Sequence, residues 1–295
     1  MKKGGRPKAF KLKNTPRLLW DEFVYGSHLV ALGDVSALLA FSVILKININ
    51  LTFFLVIYLS IIAINFLNRY EDAEDDINTN LDRYNSVSKY FKFMKLIMLV
   101  LFGLSFLITY LNAPFVALIF MILLFGIGVL YSIMLKNITR KIVGFKNIMT
   151  ALPYALLVIF LALYNGAPIT LAVVSLTVFY FIRMSINTVY FDIKDIKSDE
   201  KSGLMTFPVI FGERRTKNVL QVTNIFSAAL IISAVLASIL PVYALWILIT
   251  LVYPFIYLNL EQSNFSQTTI YNVIADGEFI FWSPYILLGR ILVGL

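Results

Sequence analysis

Long apolar runs separated by short polar breaks dominate the chain. Runs near 29–45, 51–67, 91–111, 115–135, 148–164, 169–186, 219–240, 242–260 and 279–295 each approach the roughly 20 residues a helix needs to cross a hydrocarbon core of about 30 Å. Most show neither the alternation of a half-buried strand nor the polar stripe of a soluble helix. The pattern predicts an all-α, polytopic membrane bundle of about nine transmembrane helices around a central cavity.

Composition agrees with that solvent. Hydrophobic residues are 59% of the 295 and charged residues 14%, against a soluble average of about 25% charged, and mean hydropathy is +0.82. Cysteine is absent, which excludes disulfides and thiolate metal sites. The single histidine, His28, has no partner for a His-based metal site and reads as an interfacial residue.

Charge placement sets the expected orientation. Lys2, Lys3, Arg6, Lys8, Lys11, Lys13 and Arg17 precede the first run with no acidic residue among the first twenty, so the positive-inside rule places the N-terminus in the cytoplasm. Residues 1–27 read as a basic cytoplasmic tail rather than a signal peptide, because the first apolar run is a full span without a small-residue cleavage site. Residues 28–295 read as one transmembrane domain, with two similar halves indicated by position. With nine spans the loops near 68–90, 136–146, 187–218 and 261–278 share the cytoplasmic side and hold most of the remaining charge, while the opposite turns are short and nearly uncharged. The net charge of +8 is explained by a tail beside anionic lipid headgroups and calls for no nucleic-acid partner.

Two acidic clusters stand at two of these exits. Asn68, Asp72 and Asp76 recur every four residues, and Asp192, Asp195 and Asp199 follow at three and four. On a helix such spacing turns side chains to one face. Most of the chain's 17 carboxylates lie in these two loops, and like charges gathered at low dielectric require cations or basic partners. Oxygen donors of this kind suit Mg²⁺, which joins one or two carboxylates to the phosphates of a substrate. A diphosphate is the first candidate ligand. Two ionisable residues inside spans stand out: Asp34, read either as a contact to a substrate or as a protonated or hydrogen-bonded structural group, and Arg183, near the end of its span, read as a partner of a motif carboxylate or of diphosphate.

These residues resemble the UbiA superfamily of intramembrane prenyltransferases. Asn68-xxx-Asp72-xxx-Asp76 is similar to its first signature, and Asp192 to Asp199 followed by Gly203, Thr206, Pro208 and Gly212 to its second. Tyr131-Ser132 to Lys136 with Gly144-Phe145-Lys146-Asn147 is similar to its middle cytoplasmic loop. The chain departs from the family after the first signature, where an Asn-x-Pro-x-Arg-Pro run is replaced by Asn78 to Tyr84 without prolines, leaving Asn80 and Arg83 as stand-ins.

The resemblance implies transfer of a prenyl group from an allylic prenyl diphosphate to a lipophilic or phosphate-bearing acceptor, through Mg²⁺-assisted ionisation to an allylic carbocation. It implies Asn68, Asp72, Asp76, Asp195 and Asp199 as metal ligands, with Asp72, Asp76, Asp195 and Asp199 carrying the catalysis. The substrate is then met by Lys136, Lys146, Arg69, Arg83, Lys194, Asp192, Tyr131 and Tyr190. The second signature leans toward acceptors such as glycerol phosphates, chlorophyll precursors or homogentisate rather than 4-hydroxybenzoate. The abundant Phe and Tyr are available to line a water-free slot for the prenyl tail, open sideways to lipid. A cation-binding transporter and a prenyl diphosphate lyase or cyclase of the same fold stand as alternatives. The clusters sit at the membrane boundary rather than on broken helices at the midplane, which disfavours the transporter.

Overall fold

The computed structural model describes residues 15–71, 73, 81–133, 135–260 and 269–293. The described residues form helices and connecting turns with no strand, and helices satisfy their own backbone where lipid offers no hydrogen-bond partner. The helices are α1 (Thr15–Tyr25), α2 (His28–Leu45), α3 (Thr52–Glu71), α4 (Leu81–Val87), α5 (Phe91–Asn112), α6 (Phe115–Ile133), α7 (Phe145–Tyr164), α8 (Leu171–Lys194), α9 (Ile196–Lys201), α10 (Phe207–Phe211), α11 (Glu213–Leu236), α12 (Val252–Asn259) and α13 (Trp282–Leu292). A 3₁₀ helix, Val242–Leu251, runs into α12, and another, Glu278–Phe281, runs into α13.

Among the described residues, 7 helical segments are long and apolar enough to cross a membrane. With α6 and the 278–292 segment they occupy the positions of the predicted spans. The breaks between them have local causes. Lys46, left-handed at φ 55°, ends α2. The Thr170 hydroxyl caps α8 by accepting from the Val173 N–H at 3.4 Å. Pro241 precedes the 3₁₀ segment.

Several helix ends extend beyond the apolar runs into the loops, two of them by six residues or more. α8 continues to Lys194, past the apolar run that ends at 186, and α11 begins at Glu213 rather than 219. Apolarity marks where lipid ends, but the backbone ladder continues into the polar layer as long as side chains find partners there. The segment read as tail also carries structure: Thr15–Tyr25 is helical, Val24 and Tyr25 are buried, and Glu22 accepts from Lys89 and Tyr90 at 2.9 and 3.0 Å.

Neighbouring helices close a ring in the order α2, α3, α5, α6, α7, α8, α11, the 242–251 segment and α13, which returns to α2. Outward faces are apolar: Leu96 and Leu99 on α5, Leu123 on α6 and Phe226 on α11 are 60%, 61%, 58% and 62% exposed. Exposure on that scale belongs to a surface solvated by lipid. The inward face of α2 packs closely. Gly33 abuts Phe279, and the Ser36 hydroxyl donates to the Ile280 carbonyl at 2.7 Å, so α2 and residues 276–283 meet at close range.

Arg183 and Glu278 form an ion pair inside the bundle, 1% and 2% exposed at the side chain. The guanidinium also donates to Asn224 and to the Thr250 carbonyl, and lies 5.9 Å from the Trp282 ring centroid. One residue thereby ties α8 to α11, to the 242–251 segment and to the start of α13. Removing one partner of a buried pair leaves an uncompensated charge and costs about 3–5 kcal/mol. Arg183→Met is expected to lower the melting temperature in detergent sharply, and the double variant Arg183→Met with Glu278→Leu to recover much of that loss.

Candidate functional site

A cavity of about 960 Å³ opens at the end of the ring where α3 and α8 terminate. Its basic end is built from five elements. The last turn of α3 brings Asn68 and Arg69, α4 brings Arg83, the first turn of α7 brings Lys146 and Asn147, and the end of α8 with α9 brings Asp192, Lys194, Asp195 and Asp199.

The start of α7 depends on Gly144, whose φ of +71° favours glycine and against which the Phe207 ring packs so closely that a Cβ would overlap it. The Gly144 N–H donates to the Met205 carbonyl at 3.1 Å, and the Met205 N–H donates to the Thr139 carbonyl at 3.0 Å. The loop before α7 and the segment after α9 are therefore stitched together by backbone, which fixes Lys146 opposite the end of α8.

Asp192 is 2% exposed and both its oxygens are taken: Lys146 Nζ donates to Oδ1 at 2.7 Å and Asn147 Nδ2 to Oδ2 at 2.8 Å. It holds the ammonium in place. Asp195 ends α8 and accepts from Lys194 Nζ at 2.9 Å. Asp199 follows on α9, 6% exposed, with Oδ2 buried and without a partner. Burial pushes the Asp199 carboxyl up to about 6, against the pull of the Lys146 charge. The three carboxylates do not share one continuous helix, because the chain leaves helical geometry at Asp195 (φ −100°, ψ 7°). The turn, not helical periodicity, turns Asp199 back to the cavity.

Asp72, Asp76 and Asn80 lie outside the described residues, as does the side chain of Lys136, whose backbone is in the 3₁₀ turn Leu135–Arg140. Among the described residues no group of three or more acidic or histidine side chains gathers as a metal site. The orphaned Asp199 oxygen, with Asp195 near it and Asn68 on the facing wall, is a donor set that fits a hard cation completed by substrate oxygens, the way Mg²⁺ is usually bound. Tyr131 lines the cavity. Tyr190 does not: it is 2% exposed, stacks on Tyr271 at 4.6 Å and donates to the Tyr257 carbonyl at 3.0 Å. It packs the ends of α8 and α12 against residues 270–275.

Several cavity residues carried no spacing signal. Arg140 and Lys201 add charge to the basic end. Asp276 faces the cavity just before the Glu278 anchor and accepts from Asn187 Nδ2 at 3.5 Å. Burial pushes its carboxyl up to about 7, opposed by the Asn187 hydrogen bond and by the charges of Arg69, Lys194 and Arg83.

A second chamber of about 170 Å³ lies between α3, α5, α6 and α7. Ile61, Ile64, Phe102, Phe125, Leu157 and Phe160 line it, and Asn65, Asn68, Tyr131, Thr150 and Tyr154 line both spaces. Charge and grease are thus adjacent, with Asn68 and Tyr131 at the junction.

The likeness to solved structures concerns this whole fold. An apo UbiA homologue from Aeropyrum pernix K1 superposes with a TM-score of 0.64 at 14% identity, over 93% of this chain and 98% of that one. A UbiA homologue from Archaeoglobus fulgidus bound to DMAPP and Mg²⁺ does so with a TM-score of 0.65 at 17% identity, over 93% and 99%. A digeranylgeranylglyceryl phosphate synthase gives 0.58 at 15%, over 94% and 98%. No curated protein matches the sequence. The model of the UbiA prenyltransferase family matches residues 29–270, and the chain, an integral membrane protein by its apolar helices, belongs to that family.

Proposed function

We propose that this protein transfers a prenyl group from an allylic prenyl diphosphate to a lipophilic or phosphate-bearing acceptor. The observation that carries the reading is the junction at Asn68 and Tyr131 between a basic, carboxylate-bearing cavity and an apolar aromatic chamber, which matches a ligand with an anionic head and a hydrocarbon tail. It is supported by family membership and by the homologue of the same fold bound to DMAPP and Mg²⁺.

In this reading Arg69, Arg83, Lys136, Lys146 and Lys194 attract the diphosphate and oppose the negative charge that grows on it as the allylic C–O bond breaks. Mg²⁺ held by Asn68, Asp72, Asp76, Asp195 and Asp199 would supply further neutralisation of the leaving group. Asp192 positions Lys146 through the bond at 2.7 Å. The tail lies in the chamber, where Tyr131 and Tyr154 at the mouth and Phe102, Phe125 and Phe160 inside offer π faces to the allylic cation and exclude water that would quench it. The domain spans residues 28–295, with two similar halves contributing one acidic cluster each, and the N-terminus and site loops face the cytoplasm.

The decisive experiment is diphosphate release from geranylgeranyl diphosphate by the purified protein in detergent, with Mg²⁺ or EDTA, in the presence of phenolic and glycerol phosphate acceptors. Mg²⁺-dependent release matched by a prenylated product is expected; release without product would turn the reading toward a lyase, and no release would remove it. Asp72→Ala and Asp195→Ala should each abolish turnover in protein that still inserts into the membrane. Lys146→Ala should raise the donor KM about tenfold or more, the loss of one charge-assisted hydrogen bond being worth roughly 1.5–3 kcal/mol; an unchanged KM would confine that lysine to a structural role. Leu157→Trp, which fills the chamber, should shift preference toward shorter donors, measured as the ratio of kcat/KM for C10 and C20 substrates.

A further inference from the structure

The wall of the large cavity at α2 carries a carboxyl, Asp34, that a diphosphate reading leaves unused. Asp34, on α2, is 2% exposed and lines the cavity. Its Oδ1 accepts from the hydroxyl of Tyr180 on α8, while its Oδ2 is buried and meets no donor in the protein. Asn65, on α3, lines the same space with its Nδ2 buried and unpartnered. Tyr154 and Asp276 complete the lining. Gly33, beside Asp34, approaches the backbone at 276–280, so α2 and the Asp276 segment meet there.

A buried polar atom left without a partner costs free energy and is retained where a ligand completes it. The free groups here are a carboxylate oxygen, which takes a donor, and an amide N–H, which takes an acceptor. A hydroxyl is both. The cations lining the cavity are gathered at its basic end, which places the diphosphate there, and Asp34, bonded to Tyr180 alone, is left to an uncharged donor.

We propose that Asp34, Asn65 and Tyr180 form the acceptor subsite, and that it takes an alcohol or phenol whose hydroxyl donates to Asp34 Oδ2. This rests on the prenyl-transfer reading above and names the residue that completes it. As the allylic C–O bond breaks, its electron pair leaves with diphosphate. A lone pair of the acceptor oxygen forms the new C–O bond, and the hydroxyl proton passes to the Asp34 carboxylate. Asp34 is the catalytic residue of this half-reaction. Tyr180 is a positioning residue that holds the carboxylate through Oδ1.

The test is the coupling ratio, prenylated product formed per diphosphate released, with geranylgeranyl diphosphate, Mg²⁺ and either an alkylglycerol phosphate or homogentisate as probe. Asp34→Asn preserves shape and the bond from Tyr180 but cannot take the proton, and is expected to lower the ratio by about 100-fold or more, in the range of a lost general base. Tyr180→Phe keeps the carboxylate and loses its tether, and is expected to lower the ratio several-fold. A ratio in Asp34→Asn equal to that of the unaltered protein overturns the assignment, including the case in which release and product fall together. Release without product from either probe in the unaltered protein also counts against a hydroxyl acceptor. Absence of Mg²⁺-dependent release in the unaltered protein would instead remove the prenyl-transfer reading, so the two failures are distinct.

Discussion

The Arg183–Glu278 ion pair is the constraint on which much of the cavity wall hangs. Two charges placed inside a bundle that faces lipid are tolerable only together, so the register of α8 against residues 278–282 has little freedom. Asn187 lies one turn beyond Arg183, and Asp192 and Asp195 follow on the way to the end of α8; Asp276 lies two residues before Glu278. The same helix reaches α2 through Tyr180 and Asp34. A pair that takes no part in the polar cavity's lining therefore sets the positions of side chains on three sides of it.

The cavity is electrically divided. Lys146 is clamped by Asp192 and Lys194 by Asp195, so cations at one end are ordered in advance and need not reorganise around an arriving anion. On the wall at α2 the buried carboxyl of Asp34 is bonded to Tyr180 instead of to a cation. Such separation gives a bipolar ligand one orientation, and it does so with charges from different helices, which no single segment of the chain could arrange.

Much of this was readable in the sequence because lipid enforces a simple grammar. Apolar length reported the crossings almost to the residue for 29–45, 91–111 and 242–260, since a helix satisfies its own backbone in hydrocarbon along the whole apolar length. Lys146, Asp195 and Asp199 were legible by spacing and by likeness to a family pattern. Asp276 was not: it stands alone in a loop of ordinary charge, and only the Glu278 anchor brings it inward. Tyr190 failed in the opposite sense. Its place beside a motif implied a ligand contact, but a tyrosine two residues before Asp192 lies on a different side of α8, where Tyr257 and Tyr271 await it. Spacing is read reliably along one helix and poorly across a helix end, which is why the turn at Asp195 was not foreseen.

The outer wall of the apolar chamber is formed by α5 and α6, whose far sides are the lipid-exposed rows of Leu96, Leu99 and Leu123. For a ligand whose tail dissolves in the bilayer, the reservoir on the other side of that wall is two-dimensional. Its effective concentration is then a mole fraction in lipid, and the hydrophobic part of its binding has largely been realised on partitioning. Moving a hydrocarbon tail from lipid into a chamber of Ile, Leu and Phe gains little by burial, so discrimination among tails falls to shape and packing. In a vesicle, adding inert lipid at constant ligand and protein dilutes the encounter as surely as adding water does for a soluble enzyme.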